Sequence, residues 1–525
     1  MATQARTYAA AIEALNSLQS NAATIEAIRR SGKTVNEFNE PEMTEYLERI
    51  GHRREELDKI QVIHISGTKG KGSTAAFCDA LLQQVRSPMH KIGLYTSPHM
   101  VAVRERIRIN GAPISEEEFA KYFWEVWDAL EKNPVRKLAT TPLRPVYFRF
   151  MTILALHVFI SMQVSATLLE VGIGGLYDST NIVQHPVVTG VTPLGLDHTA
   201  ILGHTIEEIA YQKAGIFKKG VPALTTEQPK SALRVLETYA RDIGASSFHV
   251  VPVRSELQSE PLGLRGDHQS VNASLALELV RAFLHSPAGQ QHFPGAANVL
   301  GEPNSAATDA VRQALRGAFW PGRCQKVPAV DTAGADYYLD GAHTVESVRL
   351  SIQWFVREVA RHTQPKMLVF NCTNGRSAMN LLGAMTEELT RACFDARSFF
   401  ERVYFCTNNT YADGGSASDL TSLAIDPADL ESMKVQRELL QAWCTLQETT
   451  PPNEQSLSVD IGPRTHAYVV PSIEHVMKAV RQWHEETGIS ADVFVAGSLH
   501  LVGGFMAHLQ AQGQLDERLR SQPSP

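Results

Sequence analysis

The sequence predicts an α/β fold with two domains, the first built on a mainly parallel, doubly wound sheet and the second Rossmann-like. Length supports two domains, because 525 residues exceed what one hydrophobic core usually organises. Short apolar runs alternate with longer helical patterns, which is typical of βαβ units. The turn-rich stretch "RGAFWPGR" at 316–323 places the boundary near residue 318, giving domains 1–318 and 319–525.

The elements follow in order along the chain. Apolar residues at three- and four-residue spacing, from Tyr8 to Leu18, predict a helical stretch over residues 7–30. Strands are predicted at "QVIHIS", "ATLLEVG" and "PVVTGVT" in the first domain, and at "DYYLDGAH", "KMLVFNCT", "RVYFCT" and "DVFVAGS" in the second. Two segments rich in small, polar or Pro/Gly residues, 286–309 and 411–468, predict mobile surface insertions.

Composition indicates a globular protein with small-molecule partners. Hydrophobic residues make up 43% of the chain and charged residues 20%. A net charge of -7 with a pI near 6.3 argues against broad binding to nucleic acids or anionic membranes. The uncharged run Phe150–Leu169 reaches the length of a membrane span, but polar residues such as His157 and Gln163 interrupt it. We therefore expect a buried helix followed by a strand, and no integral membrane association.

The six cysteines are scattered without a CxxC pair, which argues against a zinc knuckle and a disulfide framework. Reduced thiols suit a cytoplasmic protein. The first thirty residues lack a continuous apolar signal core and carry both acids and arginines. We expect a cytoplasmic location, with a mitochondrial isoform or association as an open alternative.

The stretch "IHISGTKGKGSTAAFCDALL", residues 63–82, has the order of a phosphate loop: strand, glycine turn, lysine, helix. Gly67, Gly70 and Gly72 would let backbone N–H groups approach phosphate oxygens, and Lys71 would supply a cation. The strict Walker pattern is absent, because Ile65 stands where its first glycine belongs and Gly72 where its Ser/Thr belongs. An ordinary strand-to-helix turn is the alternative.

Three residues that follow apolar runs are candidate magnesium ligands. Ser97 follows the run 92–95, Glu170 ends the strand "ATLLE", and His198 with Asp197 follows "VVTGVTPLGL". Carboxyl ends of parallel strands lie at one edge of a sheet, so these residues can converge although they are far apart in sequence. A turn serine, a loop ion pair and a helix-entry histidine are the alternative interpretations.

Nine blocks in this order together resemble the folylpolyglutamate synthase family in its eukaryotic, fungal-like form, within the Mur ligase superfamily. They are "GTKGKGST", "YTSPHMVAVRERI", "LLEVGIGGLYDSTN", "LGLDHTAILGHT", "QKAGIFK", "GDHQSVNA", "WPGRCQ", "YYLDGAHT" and "AGSLHLVGG". The resemblance extends from about residue 7 to 505. In that family the shortened phosphate loop is the normal form.

The resemblance implies ATP-dependent addition of L-glutamate in γ-linkage to tetrahydrofolate and its polyglutamates, which retains folates for one-carbon metabolism. The folate γ-carboxylate would take the γ-phosphate of ATP, and the glutamate amine would then attack the acyl phosphate, leaving ADP and phosphate. The implied partners are reduced folates, L-glutamate and ATP. A monomer is expected.

The resemblance also implies roles for individual residues. The nucleotide contacts are Gly67, Thr68, Lys69, Gly70, Lys71, Gly72, Ser73, Thr74, His268, Asn272, Arg323 and Asp340. The magnesium ligands are Ser97, Glu170 and His198, and the catalytic residues are Lys71, Lys213, His343 and Arg323. The substrate contacts are Arg104, Arg106, His343 and Ser498.

Further expectations concern the cofactors and the departures from the family pattern. A monovalent cation such as K⁺ would accompany Mg²⁺, and Lys213 would carry a carbamate that adds a negative metal ligand. Arg104 and Arg106 suit folate carboxylates through bidentate contacts, although a solvated surface turn is the alternative. Thr344 stands where many relatives have Asn.

Two other functions are open. A bifunctional enzyme would also add the first glutamate to dihydropteroate, but the N-terminal "LNSLQSNAATIEAIRRSG" resembles the monofunctional eukaryotic form better. A nucleotide-binding relative without catalysis is the second. The residues that argue against it are Lys71, Glu170, His198, Arg323 and Asp340.

Overall fold

The computed structural model describes residues 6–20, 39–139, 141–328, 334–372, 376–413, 418–420, 427–450, 457–461, 465–513 and 515. The described chain forms two compact units. Residues up to Trp320 form the first unit, except for 100–103, which join the residues from Pro321 onward in the second. This division lies beside the boundary predicted at residue 318.

The first unit is built on an eight-stranded sheet. Its strands in chain order are β1 Val62–Ser66, β2 Ile92–Tyr95, β3 Ile107–Ile109, β4 Ala112–Pro113, β5 Ala166–Glu170, β6 Val188–Val191, β7 Pro222–Thr226 and β8 Ser247–Val251. The spatial order is β4-β3-β2-β5-β1-β6-β7-β8, and β2, β5, β1, β6, β7 and β8 are parallel. The central β1 and β5 are buried throughout, as expected for a parallel strand covered on both faces.

Helices cover this sheet. They are Tyr8–Asn16, Asn39–Arg49, Lys71–Val85, Glu116–Lys132, Tyr147–Met162, Thr199–Leu202, Ile206–Ala214, Lys230–Ile243, Ser255–Gln258, Gln269–His285, Pro287–His292, Ala296–Leu300 and Asp309–Gly317, with 3-10 turns at Arg54–Ile60, Val103–Arg106 and Ser179–Ile182. The helix Glu116–Lys132 begins with a capping box, in which Ser115 and Glu118 satisfy each other's backbone N–H groups. The main core lies between the sheet and the helices Lys71–Val85 and Gln269–His285.

The second unit has a seven-stranded sheet within the described ranges. Its strands are β9 Gln325–Val327, β10 Ala335–Leu339, β11 Lys366–Phe370, β12 Arg402–Cys406, β13 Ser458–Asp460, β14 His466–Val470 and β15 Ala491–Ala496, in the spatial order β13-β14-β12-β11-β15-β10-β9. The edge strands β9 and β13 are antiparallel to their neighbours and the rest are parallel. The helices are Val345–Val359, Ala378–Arg391, Pro427–Glu431, Lys434–Leu446, Ile473–Thr487 and Leu499–Ala511, with a 3-10 turn at Ser418–Leu420.

The predicted α/β fold is confirmed, and all seven predicted strands are present, as β1, β5, β6, β10, β11, β12 and β15. The run from residue 150 to 169 is a buried helix, Tyr147–Met162, followed by β5, as expected. None of the helices in the described part of the chain is long and apolar enough to cross a membrane. The first helix is shorter than the predicted range, because it ends at Asn16. Residues 21–30 of that range lie outside the described residues.

The structure differs from the prediction of surface insertions. Within 286–309, two short helices bury Phe293 and Leu300 in the core of the first unit. Within 411–468, the helix Lys434–Leu446 buries Leu439 and Trp443 in the core of the second unit, and β14 pairs with β12. The prediction was based on the polar and Pro/Gly-rich composition of these segments, which does not reveal the few apolar residues that are buried. Residues 414–417, 421–426, 451–456 and 462–464 lie outside the described ranges.

A pair of histidines joins three helical segments of the first unit. His52 Nε2 lies 2.8 Å from His157 Nδ1, while the other ring nitrogens face Glu56 (3.2 Å) and Glu125 (2.9 Å). Each carboxylate accepts a ring N–H, so the contact between the rings requires one additional proton. Burial lowers the pKa of His157.

This arrangement makes stability depend on pH. The folded-state pKa of His157 lies below its unfolded value of about 6.5, so the contribution of neutral His157 is present above that pH. It is lost as pH falls through the folded pKa. We expect urea midpoints to fall between pH 7.5 and 5, and to fall less in His157→Gln than in the exposed control His185→Gln. Equal pH dependence in the two variants would contradict the assignment.

Candidate functional site

The loop after β1 has the backbone of a phosphate loop. Gly67 and Gly70 have φ of +144° and +84°, and Gly70 caps the helix Lys71–Val85. A Cβ on Gly67 would lie 1.8 Å from Thr192 Oγ1, and one on Gly70 would lie 2.1 Å from Asn272 Oδ1. Both positions therefore require glycine for conformation and for space.

The block "GDHQSVNA" lies against this loop. Asn272 belongs to the helix Gln269–His285, and its Nδ2 donates to Gln269 Oε1 at 2.9 Å. Gln269 Nε2 in turn contacts His268 Nε2 at 3.1 Å. The structure thus brings the predicted Asn272 to Gly70 and connects His268 to it through one side chain.

Two lysines converge on one carbonyl of the loop. Lys71 Nζ donates to the Gly67 carbonyl oxygen at 3.0 Å, and Lys213 Nζ donates to the same oxygen at 2.8 Å. Burial lowers the pKa of the Lys213 amine well below its usual value, and the nearby Lys71 charge lowers it further. Lys71 therefore supplies positive charge beside the glycine-rich turn, and the Lys213 amine lies buried next to it.

The segment that follows β6 contacts the phosphate loop through an ion pair. Lys69 Nζ lies 3.0 Å from Asp197 Oδ2, and the backbone N–H groups of Thr68 and Lys69 donate to the Pro193 carbonyl. His198 follows with φ of +52° and precedes the helix Thr199–Leu202. The structure therefore places the segment that carries His198 beside the phosphate loop.

Glu170, one of the predicted metal ligands, is held by two neighbouring residues. Its carboxylate accepts hydrogen bonds from the Thr96 hydroxyl and from the Ser97 backbone N–H, the latter at 3.3 Å. A Cβ on Gly72 would lie 3.6 Å from both Glu170 carboxylate oxygens. The carboxylate thus faces the first turn of the helix that follows the phosphate loop.

Among the described residues, no three His, Cys, Asp or Glu side chains gather in a way that could hold a metal ion. One carboxylate beside hydroxyl groups nevertheless fits Mg²⁺, which is usually held by one or two carboxylates together with substrate phosphates and water. The donor set does not fit a metal that requires an all-protein cage.

The predicted substrate arginines are more buried than a solvated turn implies. Arg106 Nε donates to His99 Nδ1 at 3.0 Å, and its guanidinium lies 5.4 Å from the centre of the Tyr147 ring. Arg104 donates to the Ile114 carbonyl at 3.1 Å. The alternative of freely solvated arginines therefore does not describe Arg106, which is 9% exposed.

A cavity of about 240 Å³ lies beside the glycine-rich loop after β5. Its lining includes Phe148, Arg149, Ile173, Tyr177, Asp178 and Gln212. Asp178 accepts from the backbone N–H groups of Ile173 and Thr180, each at 3.0 Å, and burial raises its pKa. The cavity therefore combines aromatic faces with a fixed acidic group.

The remaining predicted residues lie in the second unit. Asp340 follows β10 and accepts from the backbone N–H groups of Cys324 (2.7 Å) and Ala342 (2.9 Å). His343 Nδ1 donates to the Gly341 carbonyl at 2.9 Å, and a Cβ on Gly341 would lie 2.6 Å from Arg323 Nη1. These contacts place Arg323, Asp340 and His343 around one short loop.

Ser498 has an evident structural role. Its hydroxyl accepts from the Leu501 backbone N–H at 3.4 Å and caps the helix Leu499–Ala511. Its predicted position near glutamate stays a prediction. Thr344 likewise caps the helix Val345–Val359, which accounts for a hydroxyl residue at this position.

Sequence reasoning missed three residues that shape the site. Thr192 donates to the Lys69 carbonyl at 2.6 Å and leaves no room for a side chain on Gly67. Thr96 binds the Glu170 carboxylate, and Asp178 lines the cavity. Thr96 directly precedes Ser97, and Asp178 lies in "GIGGLYDSTN". Both therefore lie next to or within motifs already identified in the sequence, but their contacts could be seen only in the structure.

The strand, the glycine turn, Lys71 at the first helical position and the facing Glu170 define a phosphate-loop nucleotide-binding protein. No protein-family model matches the chain. The folylpolyglutamate synthase of Saccharomyces cerevisiae is 40% identical over 516 residues, covering 95% of this chain and 86% of the yeast protein, in strains AWRI796 and S288c. The chain belongs to the folylpolyglutamate synthase family.

Solved structures share the fold. The apo form of L. casei FPGS is 22% identical with a TM-score of 0.66, covering 96% of this chain and 100% of that one. The Mycobacterium tuberculosis folylpolyglutamate synthase complexed with ADP and AMPPCP is 21% identical with a TM-score of 0.65, covering 89% and 95%. E. coli FolC in complex with DHPP and ADP is 20% identical with a TM-score of 0.64, covering 97% and 99%. The predicted family is confirmed.

Proposed function

We propose that this protein adds L-glutamate in γ-linkage to tetrahydrofolate and its polyglutamates, using ATP and giving ADP and phosphate. The observation that carries the proposal is the phosphate loop with two converging lysines, in a chain 40% identical to yeast folylpolyglutamate synthase. A carboxylate is a poor acyl donor until it is phosphorylated. The folate γ-carboxylate therefore attacks the ATP γ-phosphate, and the glutamate amine then displaces phosphate from the acyl phosphate.

The chain's own residues mainly position the reactants and neutralise charge. Backbone N–H groups at the start of the helix Lys71–Val85 face the phosphates, with Ser73 and Thr74 in its first turn. Lys71 leaves the Gly67 carbonyl and binds the transferring phosphoryl group. Asn272 and His268 border the nucleotide from the neighbouring helix. Thr68 and Lys69 hold the loop against the segment 193–197.

Glu170, Ser97 and His198 are the proposed ligands of Mg²⁺, and K⁺ is a further candidate cation. When bound, Mg²⁺ would neutralise phosphate charge during transfer. The hydrogen bonds from Thr96 and Ser97 hold the Glu170 carboxylate in one orientation, as supporting groups around a metal ligand would. Removal of divalent cations by EDTA should abolish phosphate release, and added Mg²⁺ should restore it. Undiminished phosphate release in EDTA would contradict the magnesium proposal.

Lys213 is the proposed site of a carbamate. The reaction joins a neutral amine to CO₂ and releases one proton. The lowered pKa of Lys213 supports the carbamate proposal, because the neutral amine is the form that reacts with CO₂. Activity should fall in buffers freed of CO₂ and recover with bicarbonate, while Lys213→Met should not respond to bicarbonate. A bicarbonate-independent native enzyme would contradict the proposal.

The folate ring is proposed to enter the 240 Å³ cavity. Phe148 and Tyr177 offer aromatic faces, and the Asp178 carboxylate can accept hydrogen bonds from ring N–H groups. Arg104 and Arg106 are proposed to bind the glutamate carboxylates of the folate chain. Support for Arg106 comes from its position over Tyr147, which directly precedes Phe148 in the chain.

For the second unit, Arg323 and Asp340 are proposed to bind ATP, and His343 and Ser498 the incoming glutamate. A planar guanidinium suits phosphoryl charge, and an aspartate that follows a parallel strand suits a ribose. A monomeric state and a cytoplasmic location, with a mitochondrial form as the alternative, stay predictions. Sedimentation and cell fractionation test them.

The deciding experiment is ATP-dependent ligation of radiolabelled L-glutamate, with tetrahydrofolate and dihydropteroate offered separately. Label in products from tetrahydrofolate alone would establish the monofunctional enzyme. Label from both acceptors would establish the bifunctional one, an alternative kept because the related E. coli FolC was solved with DHPP. Label from neither, with nucleotide binding intact, would favour a relative without catalysis.

Gly70→Ala tests the loop geometry. The new Cβ would meet Asn272 Oδ1, so we expect at least tenfold weaker binding of the ATP analogue AMPPCP. Gly51→Ala is the matched control, because Gly51 has a similar φ of +91° with nothing within 4 Å of its Cβ. Each substitution should lower the unfolding free energy by about 1–2 kcal/mol from backbone strain. Equal AMPPCP affinity in the two variants would contradict the expectation.

A further inference from the structure

Trp320, the last residue of the first unit, borders the phosphate site. Its indole Nε1 lies 3.2 Å from the point where a Cβ on Gly72 would stand, and both Glu170 carboxylate oxygens lie 3.6 Å from the same point. The indole N–H, the Gly72 backbone and the Glu170 carboxylate therefore surround one small volume at the first turn of the helix Lys71–Val85. Transferring phosphate oxygens would be expected in this volume if the loop holds ATP.

The indole ring is held in place from outside this volume. Trp320 packs against the core of the first unit, and the Arg108 guanidinium lies over the ring at 4.8 Å from its centre. Arg108 is itself fixed, because it donates to the Glu105 carbonyl at 3.2 Å and to the Gly111 carbonyl at 3.3 Å. A cation over the ring draws electron density from the indole and makes its N–H a better donor.

An indole nitrogen only donates, and Trp320 Nε1 makes no hydrogen bond to any of the described residues. A fixed donor beside a helix N-terminus and a lysine suits an anionic oxygen. The same contacts explain why position 72 is glycine. A side chain at this position, such as the Ser/Thr of the Walker pattern, would crowd the indole and fill the shared volume.

We propose that Trp320 is a nucleotide-binding residue whose indole N–H donates to an oxygen of the terminal phosphate of ATP. This inference rests on the proposed function, because it assumes ATP in the phosphate loop. It adds a donor that recognises the third phosphate. ADP lacks that phosphate, and Trp320 therefore distinguishes ATP from ADP.

The test is calorimetric titration of the full chain with AMPPCP and with ADP, without folate or glutamate. Trp320→Phe keeps an aromatic ring under Arg108 and removes the N–H. We expect about tenfold weaker AMPPCP binding, the loss of one hydrogen bond to a charged group, and ADP binding within about twofold of the native value. Trp354→Phe is the matched control, because it removes an indole N–H that donates to Glu358 at 3.2 Å in the second unit.

Each outcome decides the inference. Selective weakening of AMPPCP in Trp320→Phe, with both affinities unchanged in Trp354→Phe, would support it. Equal weakening of AMPPCP and ADP in Trp320→Phe would show a packing role and overturn it, and so would no change at all. If the native chain bound neither nucleotide, the proposed function would fail, and this inference with it.

Discussion

Replacing Lys71 with alanine should lower turnover by about 10²–10³-fold, a size typical of removing one group that stabilises charge in a transition state. The Lys71 Nζ contacts the Gly67 carbonyl and lies on no core face, so the unfolding free energy should change by less than about 0.5 kcal/mol. The measurements are the ligation rate under saturating substrates and urea unfolding of the same preparation.

Lys121→Ala is the matched control for this substitution. It removes the same charge from an exposed position on the helix Glu116–Lys132, remote in sequence from the loop, and turnover should stay within about twofold of native. Native turnover in Lys71→Ala would contradict the proposal that Lys71 binds the transferring phosphoryl group. If Lys71→Ala unfolded instead, Lys71 would have a structural role. It would mean that Lys213, the other lysine that donates to the Gly67 carbonyl, cannot keep the loop folded alone.

The phosphate loop and the central strands could be predicted because their signals are local. The runs that became β1 and β5 are mainly apolar, and every residue in them is buried, as expected for strands covered on both faces. Gly67 and Gly70 occupy positions that a tight strand-to-helix turn demands. Glu170 could be placed at a strand end, and parallel topology then brought it beside the strand that Ser97 follows.

Other features could not be predicted because they depend on contacts between distant residues. Nothing near Gly67 in sequence reveals Thr192, which excludes a side chain there. The sequence predicted only that Trp320 lies in a turn at a domain boundary, whereas folding places it beside Gly72. Segment 286–309 read as a surface insertion because its composition is polar, whereas a few anchors such as Phe293 and Leu300 bind it to the core.

Arg281→Met should destabilise the first unit by about 3–5 kcal/mol, because it removes a guanidinium that makes several hydrogen bonds, each worth about 1.5–3 kcal/mol when the donor is charged. Arg281 is fully buried. It lies 3.0 Å from Glu278 Oε1 and donates to the carbonyls of Leu300, Ser305 and Ala306 at 2.8–3.1 Å. Methionine fills a similar length but donates nothing, so the buried Leu300 carbonyl would lose both of its hydrogen bonds from Arg281. Ser305 and Glu278 would keep their contacts with Arg254.

Arg312→Met separates this network from ordinary ion pairing. Arg312 lies on the helix Asp309–Gly317 and pairs with Glu260 (3.1 Å) and Asp309 (3.2 Å) at the surface, where such pairs contribute about 0–1 kcal/mol. Urea unfolding should therefore show a much larger loss for Arg281→Met. Hydrogen exchange should also show reduced protection at 296–306, because Arg281 ties three carbonyls of that segment to the helix Gln269–His285. Glu278 of the same helix would still accept from the Asn304 backbone N–H. Equal losses in the two variants would mean that buried apolar anchors, rather than Arg281, hold the segment.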